Sequence, residues 1–98
     1  MDMQLNEKKA LITGSSSGIG YAIAEALAAE GADVIITGRH EITVIEAVHK
    51  IKHLHPETNP RGITGDCSTQ TGCEKIFDAA PSVDILINNL GIYERKPF

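Results

Sequence analysis

Thr13-Gly14-Ser15-Ser16-Ser17-Gly18-Ile19-Gly20 decides the fold of this chain. It places three glycines in eight residues between a short apolar run, Ala10-Leu11-Ile12, and an alanine-rich helical pattern. A helix that begins directly after a glycine turn leaves its first N–H groups unpaired and aimed into the turn. The partial positive charge at that end favours a phosphate. The stretch therefore reads first as a nucleotide cradle between a strand and a helix.

On the N-terminal side, Lys9 to Ile12 is a short buried strand. On the other, Ile19, Ala22, Ile23, Ala26 and Leu27 recur at helical spacing, with Glu25 and Glu30 opposite and Gly31 as the stop. Ala22 and Ala26 are small enough to let the helix approach a sheet. Ala32 to Thr37 is a second strand, and its unbroken apolar run implies cover on both faces, as in a parallel sheet. Glu41 to Leu54 is helical again, with Val44, Ile45, Val48 and Ile51 inward and Glu46 and Lys50 paired outward.

Pro56 to Pro60 is a loop, and Arg61 to Thr64 a weaker strand that leaves at Gly65-Asp66. The third helix starts at Ser68 or Thr69, or at a Thr71-x-x-Glu74 capping box. Ile76, Phe77 and Ala80 give its apolar side, and Pro81-Ser82 breaks it. Asp84 to Asn89 is the fourth strand, and the remainder to Phe98 reads as loop. This β-α-β-α-β-α-β alternation, with right-handed crossovers, gives an α/β fold: a parallel sheet of order 3-2-1-4 with helices on both faces. Ligands in such sheets bind beyond the carboxyl ends of the strands, where the winding direction reverses. The glycine turn and Asn88-Asn89-Leu90-Gly91 both fall there.

Composition narrows the function classes. The 98 residues fit one domain, with 42% hydrophobic and 22% charged residues. A net charge of −4 argues against a generic nucleic-acid surface. The apolar runs are too short to span a bilayer, and the polar N-terminus has no signal core, so a cytoplasmic location is the expectation. Cys67 and Cys73 lack C-x-x-C spacing and read as reduced, partly buried residues. His49 and His53 stand four apart on a helix, but no third ligand converges on them, so no metal site is expected.

Three chemistries compete for the glycine turn. A Walker A loop ends in Gly-Lys-Ser/Thr, and there is no lysine between Lys9 and Lys50. Gly14-Ser15-Ser16-Ser17-Gly18 matches a G-x-S-x-G nucleophile elbow. That elbow needs an acid and then a histidine downstream, yet His40, His49, His53 and His55 all precede Asp66, Asp78 and Asp84. A dinucleotide fold is left, although the spacing G-x-x-x-G-x-G is one residue longer at the front than G-x-G-x-x-G.

Thr13-Gly14-Ser15-Ser16-Ser17-Gly18-Ile19-Gly20 resembles the T-G-x-x-x-G-x-G motif of the short-chain dehydrogenase/reductase family. Asn88-Asn89-Leu90-Gly91 resembles that family's N-N-A-G, with Leu90 in place of alanine, and Asp66 stands where its adenine-contacting aspartate stands. The likeness runs from Lys9 to about Tyr93. It implies a Rossmann-like sheet, here incomplete with four strands and three helices, and a single partial dinucleotide-binding domain over residues 1–98. It also implies a homo-oligomeric complete parent.

The residues take roles accordingly. Gly14 turns the chain, Gly18 admits the pyrophosphate and Gly20 allows close helix–strand packing. Ser15, Ser16 and Ser17 could offer hydroxyls to phosphate or ribose oxygens, or only satisfy the turn. Ile19 combines packing with a backbone contact to the cofactor. Asp66, with the Cys67 N–H beside it, could accept from the adenine amino group, serve as a charge at the N-terminus of the third helix, or do both. Asn88 and Asn89 border the adenosine or tie strands together, and Gly91 lets the backbone pass close to the cofactor. A carboxylate about 20 residues past the glycines would grip the ribose of NAD. This chain has Thr37-Gly38-Arg39 there, and the guanidinium of Arg39 suits the 2′-phosphate of NADP(H), favoured over NAD(H).

The family's Tyr-x-x-x-Lys unit is absent: Glu25 stands four after Tyr21 and Pro97 four after Tyr93. The resemblance thus implies the N-terminal NADP(H)-binding segment of a carbonyl/alcohol oxidoreductase, truncated and inactive alone, with no catalytic residues of its own. The alternatives are a non-catalytic nucleotide-binding or interaction module, or a nonfunctional remnant whose fourth strand (Ile85, Leu86, Ile87) is an exposed hydrophobic edge.

Overall fold

Seven elements follow one another in the computed structural model, which describes residues 5–80 and 82–89. They are β1 (Lys9–Ile12), α1 (Gly18–Ala29), β2 (Asp33–Gly38), α2 (Glu41–Leu54), β3 (Arg61–Thr64), α3 (Gln70–Ala79) and β4 (Ile85–Ile87). Pro81 and the expected loop from Leu90 to Phe98, with Gly91, lie outside the described residues.

All pairings are parallel and the order is β3-β2-β1-β4. Leu11 stands beside Ile35 on one side and Leu86 on the other, and Gly38 beside Thr64. Side chains alternate between the two faces of the sheet. Ala10, Ile12, Val34 and Ile36 pack with Ala24 and Ala28 of α1 and with Val44, Ala47 and Ile51 of α2. Leu11, Ile35 and Ile63 pack on the opposite face with Ile76 and Ala80. Two helices thus cover one face and α3 the other, as the continuous apolar strands require. Ile51 is fully buried, and burial of a side chain of that size stabilises the fold by about 1.5–3 kcal/mol.

Helix faces differ in detail from the sequence expectation. In α1 the buried residues are Gly20, Ala24 and Ala28, four apart. Ile23 and Leu27 flank them half-buried, while Ala22 and Ala26 face solvent and Ile19 is 74% exposed. The sheet takes the line of smallest residues because it admits the closest approach. In α2, Val44, Ala47 and Ile51 are buried and Val48 is half-buried, whereas Ile45 is exposed. With 3.6 residues per turn, Ile45 falls beside the line from 44 to 51, and Ala47 completes it. Lys50 places its ammonium 4.9 Å from the centre of the Tyr21 ring, and among the described residues no ion pair joins it to Glu46.

The remaining boundaries shift for identifiable reasons. β2 starts at Asp33 and includes Gly38, because Gly38 and Thr64 still pair at its end. Thr69 caps α3, its hydroxyl accepting from the Gly72 N–H at 3.0 Å. Phe77 points outward. β4 is three residues long rather than six: Asn88 and Asn89 turn away to bond with β1's exit, and Asp84 precedes the strand, its carboxylate accepting from the Lys9 N–H at 2.9 Å.

Candidate functional site

The glycine turn is held by a lattice of short polar contacts between the ends of β1 and β2. The buried hydroxyl of Ser15 donates to the Ile12 carbonyl at 2.6 Å and accepts from the Thr37 N–H at 3.0 Å. Thr37 reciprocates: its hydroxyl donates to the same carbonyl at 3.1 Å and accepts from the Gly14 N–H at 3.0 Å. The Ser15 N–H adds a bond to the Thr37 carbonyl at 2.8 Å. Every one of these groups is spent on structure. Of the two roles open to the Ser15 hydroxyl, the structure supplies the one that satisfies the turn.

The end of β4 is tied to the same turn. The Thr13 hydroxyl donates to Asn88 Oδ1 at 3.2 Å and accepts from the Asn89 N–H at 2.8 Å. The Asn89 side-chain amide donates to the Gly14 carbonyl at 3.3 Å. Gly20 sits directly beneath, where a Cβ would strike the Gly14 carbonyl and lie 3.0 Å from the Asn89 amide nitrogen. The turn itself needs left-handed backbone at Gly14 (φ 60°) and Gly18 (φ 66°).

Above these contacts opens a cavity of about 450 Å³ at the carboxyl ends of the strands. Gly14, Ser16 and Ser17 form one wall; Gly38, Arg39, His40 and Thr43 a second; Asp66, Cys67 and Ser68 a third. Ser17 is the N-cap residue of α1 but makes no side-chain cap bond, and no acidic residue occupies the helix's first turn. The positive end of α1 and two serine hydroxyls thus meet in this space. Gly38 leaves room for Ser16, whose Oγ would lie 2.6 Å from a Cβ there. Across the cavity, Asp66 Oδ1 accepts from the Ser68 N–H at 2.9 Å and from its hydroxyl at 2.6 Å. Those bonds, with a smaller contribution from the Arg39 charge, hold the carboxyl below its ordinary range.

The structure brings together Gly14, Ser16, Ser17, Arg39, Asp66 and Cys67 around one space, with Asn88 and Asn89 bracing its floor. Ile19 is at the exposed start of α1, and Gly91 lies outside the described residues. Thr13 and Thr37 join the site as well: each is a hydroxyl at the end of an apolar run, the same signal that Asn88 and Asn89 carry. His40 and Thr43 follow Arg39 too closely in sequence to announce a separate wall.

Elsewhere, His49 and His53 are exposed, and no group of three or more His, Cys, Asp or Glu among the described residues is placed to hold a metal ion. No helix among them is long and apolar enough to cross a membrane. A second cavity, of about 480 Å³, lies at the amino ends of the strands, lined in part by Lys9, Asp33, Lys52 and Arg61. There Lys52 is already bonded to the Pro56 and Thr58 carbonyls at 2.8 Å each.

Comparison with known proteins gives the same architecture a family. A model of the short chain dehydrogenases matches residues 8–98. The uncharacterized oxidoreductase YvaG of Bacillus subtilis is 50% identical over 94 residues, covering 96% of this chain and 36% of that protein. The 5-keto-D-gluconate 5-reductase of Escherichia coli is 35% identical over 96 residues, covering 93% and 37%. The crystal structure of L-sorbose reductase from Gluconobacter frateurii, complexed with NADPH and L-sorbose, superposes with a TM-score of 0.86 at 38% identity, over 93% of this chain and 36% of that one. The chain therefore spans somewhat more than a third of the length of these relatives.

Proposed function

The chain belongs to the short-chain dehydrogenase family, and from that premise we propose that it binds NADP(H) in the cavity above the glycine turn. The pyrophosphate rests on the N-terminus of α1, where Ser16 and Ser17 present hydroxyls and the backbone beside exposed Gly18 is open. Arg39 takes the 2′-phosphate, since its guanidinium can meet two phosphate oxygens at once. Asp66, kept ionised by Ser68, accepts from the adenine amino group beside the Cys67 N–H. Asn88 and Asn89 border the adenosine and also lock the floor. Gly20 keeps the helix close enough for its N–H groups to reach.

The observation that carries this reading is the wall formed by Gly38 and Arg39, an arginine and no carboxylate at the tip of β2, facing Ser16 and Asp66 across one cavity. The L-sorbose reductase relative, solved with NADPH, supports the choice of cofactor class. Bound NADPH supplies a hydride for reduction of a carbonyl. In this chain no Tyr-x-x-x-Lys pair is present to handle the accompanying proton. Carbonyl/alcohol chemistry, with homo-oligomeric assembly, is accordingly proposed for a complete cytoplasmic parent, and the 98 residues alone are proposed to bind without turnover. Replacing Arg39 with alanine tests the cofactor choice. NADPH affinity should fall at least tenfold with NADH affinity little changed; an unaltered preference would overturn the assignment.

A further inference from the structure

Cys67 and Cys73 are the two cysteines of the chain, and the fold sets them against each other. The two bonds from Ser68 to Asp66 Oδ1 draw residues 66–68 into a tight turn. The Thr69 hydroxyl, itself donating to the Asp66 carbonyl at 3.0 Å, then caps α3 and brings its first turn back against that loop. The approach is close enough that a Cβ on Gly72 would strike the Asp66 carbonyl. The Cys73 thiol donates to the Cys67 carbonyl oxygen at 3.2 Å, which sets the two cysteines side by side. Both residues are half-buried and unbridged, and Cys67 also lines the cavity beside Asp66.

We propose that Cys67 and Cys73 are an oxidisable dithiol that closes to an intramolecular disulfide in the wall of the cavity. With hydrogen peroxide as oxidant, one peroxide oxygen is transferred to the Cys73 sulfur, giving the sulfenic acid and one water. The Cys67 sulfur then attacks the Cys73 sulfur, its S–H proton leaves with the sulfenic hydroxyl as a second water, and the S–S bond forms. Two thiols lose two electrons and two protons, and one peroxide is reduced to two waters. Burial first, and the neighbouring thiol second, push Cys67 up to about 12. Cys67 therefore stays protonated near neutrality, and its deprotonation makes closure faster as pH rises.

Peroxide treatment of the folded chain, iodoacetamide quenching and trypsin digestion give a direct readout, because the segment from Gly62 to Lys75 carries both cysteines in one peptide. The expected product is that peptide lighter by two hydrogens and free of alkyl groups. It should form faster in the folded chain than in urea, and it should be lost in both Cys67→Ser and Cys73→Ser. A peptide alkylated twice, chains crosslinked to one another, or equal rates with and without urea would overturn the proposal.

Discussion

The side-chain amide of Asn89 donates to the carbonyl of Gly14 across 3.3 Å, joining the second residue after β4 to the second residue after β1. With the Thr13 hydroxyl bridging Asn88 and the Asn89 N–H, it fixes the position of the glycine turn relative to the sheet. The two motifs, far apart in sequence, form one object.

Breaking that object should cost stability. Thr13→Val keeps the shape but removes the hydroxyl that serves Asn88 and the Asn89 N–H, and leaving such partly buried groups unpaired costs about 1–3 kcal/mol. Urea unfolding should show the midpoint lowered with the slope unchanged.

Ser15 and Ser17 separate structure from binding. Ser15→Ala strips the buried Thr37 N–H of its partner and should lower stability by about 1–3 kcal/mol. Ser17→Ala removes a hydroxyl that makes no cap bond; thermal unfolding should be nearly unchanged while NADPH titration shows weaker binding.

Much of this was legible in the sequence. Element order, strand order and the convergence of Gly14–Gly20 with Asn88 and Asn89 follow from apolar runs, glycines and handedness. The helix faces were less so. Ile19 and Ile45 satisfy helical spacing yet face solvent, because the sheet takes the line through Gly20, Ala24 and Ala28, and Ala47 closes the line in α2. Hydrophobicity ranks side chains by size, whereas close packing against a sheet rewards smallness. Ser15 and Ser16 are identical letters side by side, and only the alternation of the chain at the turn sends one into the protein and the other to the cavity.

Gly20→Ala tests the close approach of α1. The added methyl meets the backbone carbonyl of Gly14, which cannot swing away as a side chain would. Overpacking of this kind costs about 1–3 kcal/mol. Cofactor affinity should fall in parallel, since the helix end moves away from the turn.

The Asp66 carboxyl gives a prediction in pH. Ser68 lowers its pKa in the folded chain, so the stability it contributes is present above the ordinary value of 3.8 and is lost as pH falls through the lower folded value. Ser68→Ala should bring the Asp66 titration, followed by carboxyl-carbon NMR, back up toward 3.8. A titration that does not move would mean that the Ser68 hydroxyl bond does not form in solution.

Calorimetric titration of the 98-residue chain with NADPH and then NADH bears most directly on the cavity above the glycine turn. One saturable site per chain, at least tenfold tighter for NADPH, is the expected result. No saturable heat with NADPH, or equal or tighter binding of NADH, would contradict it.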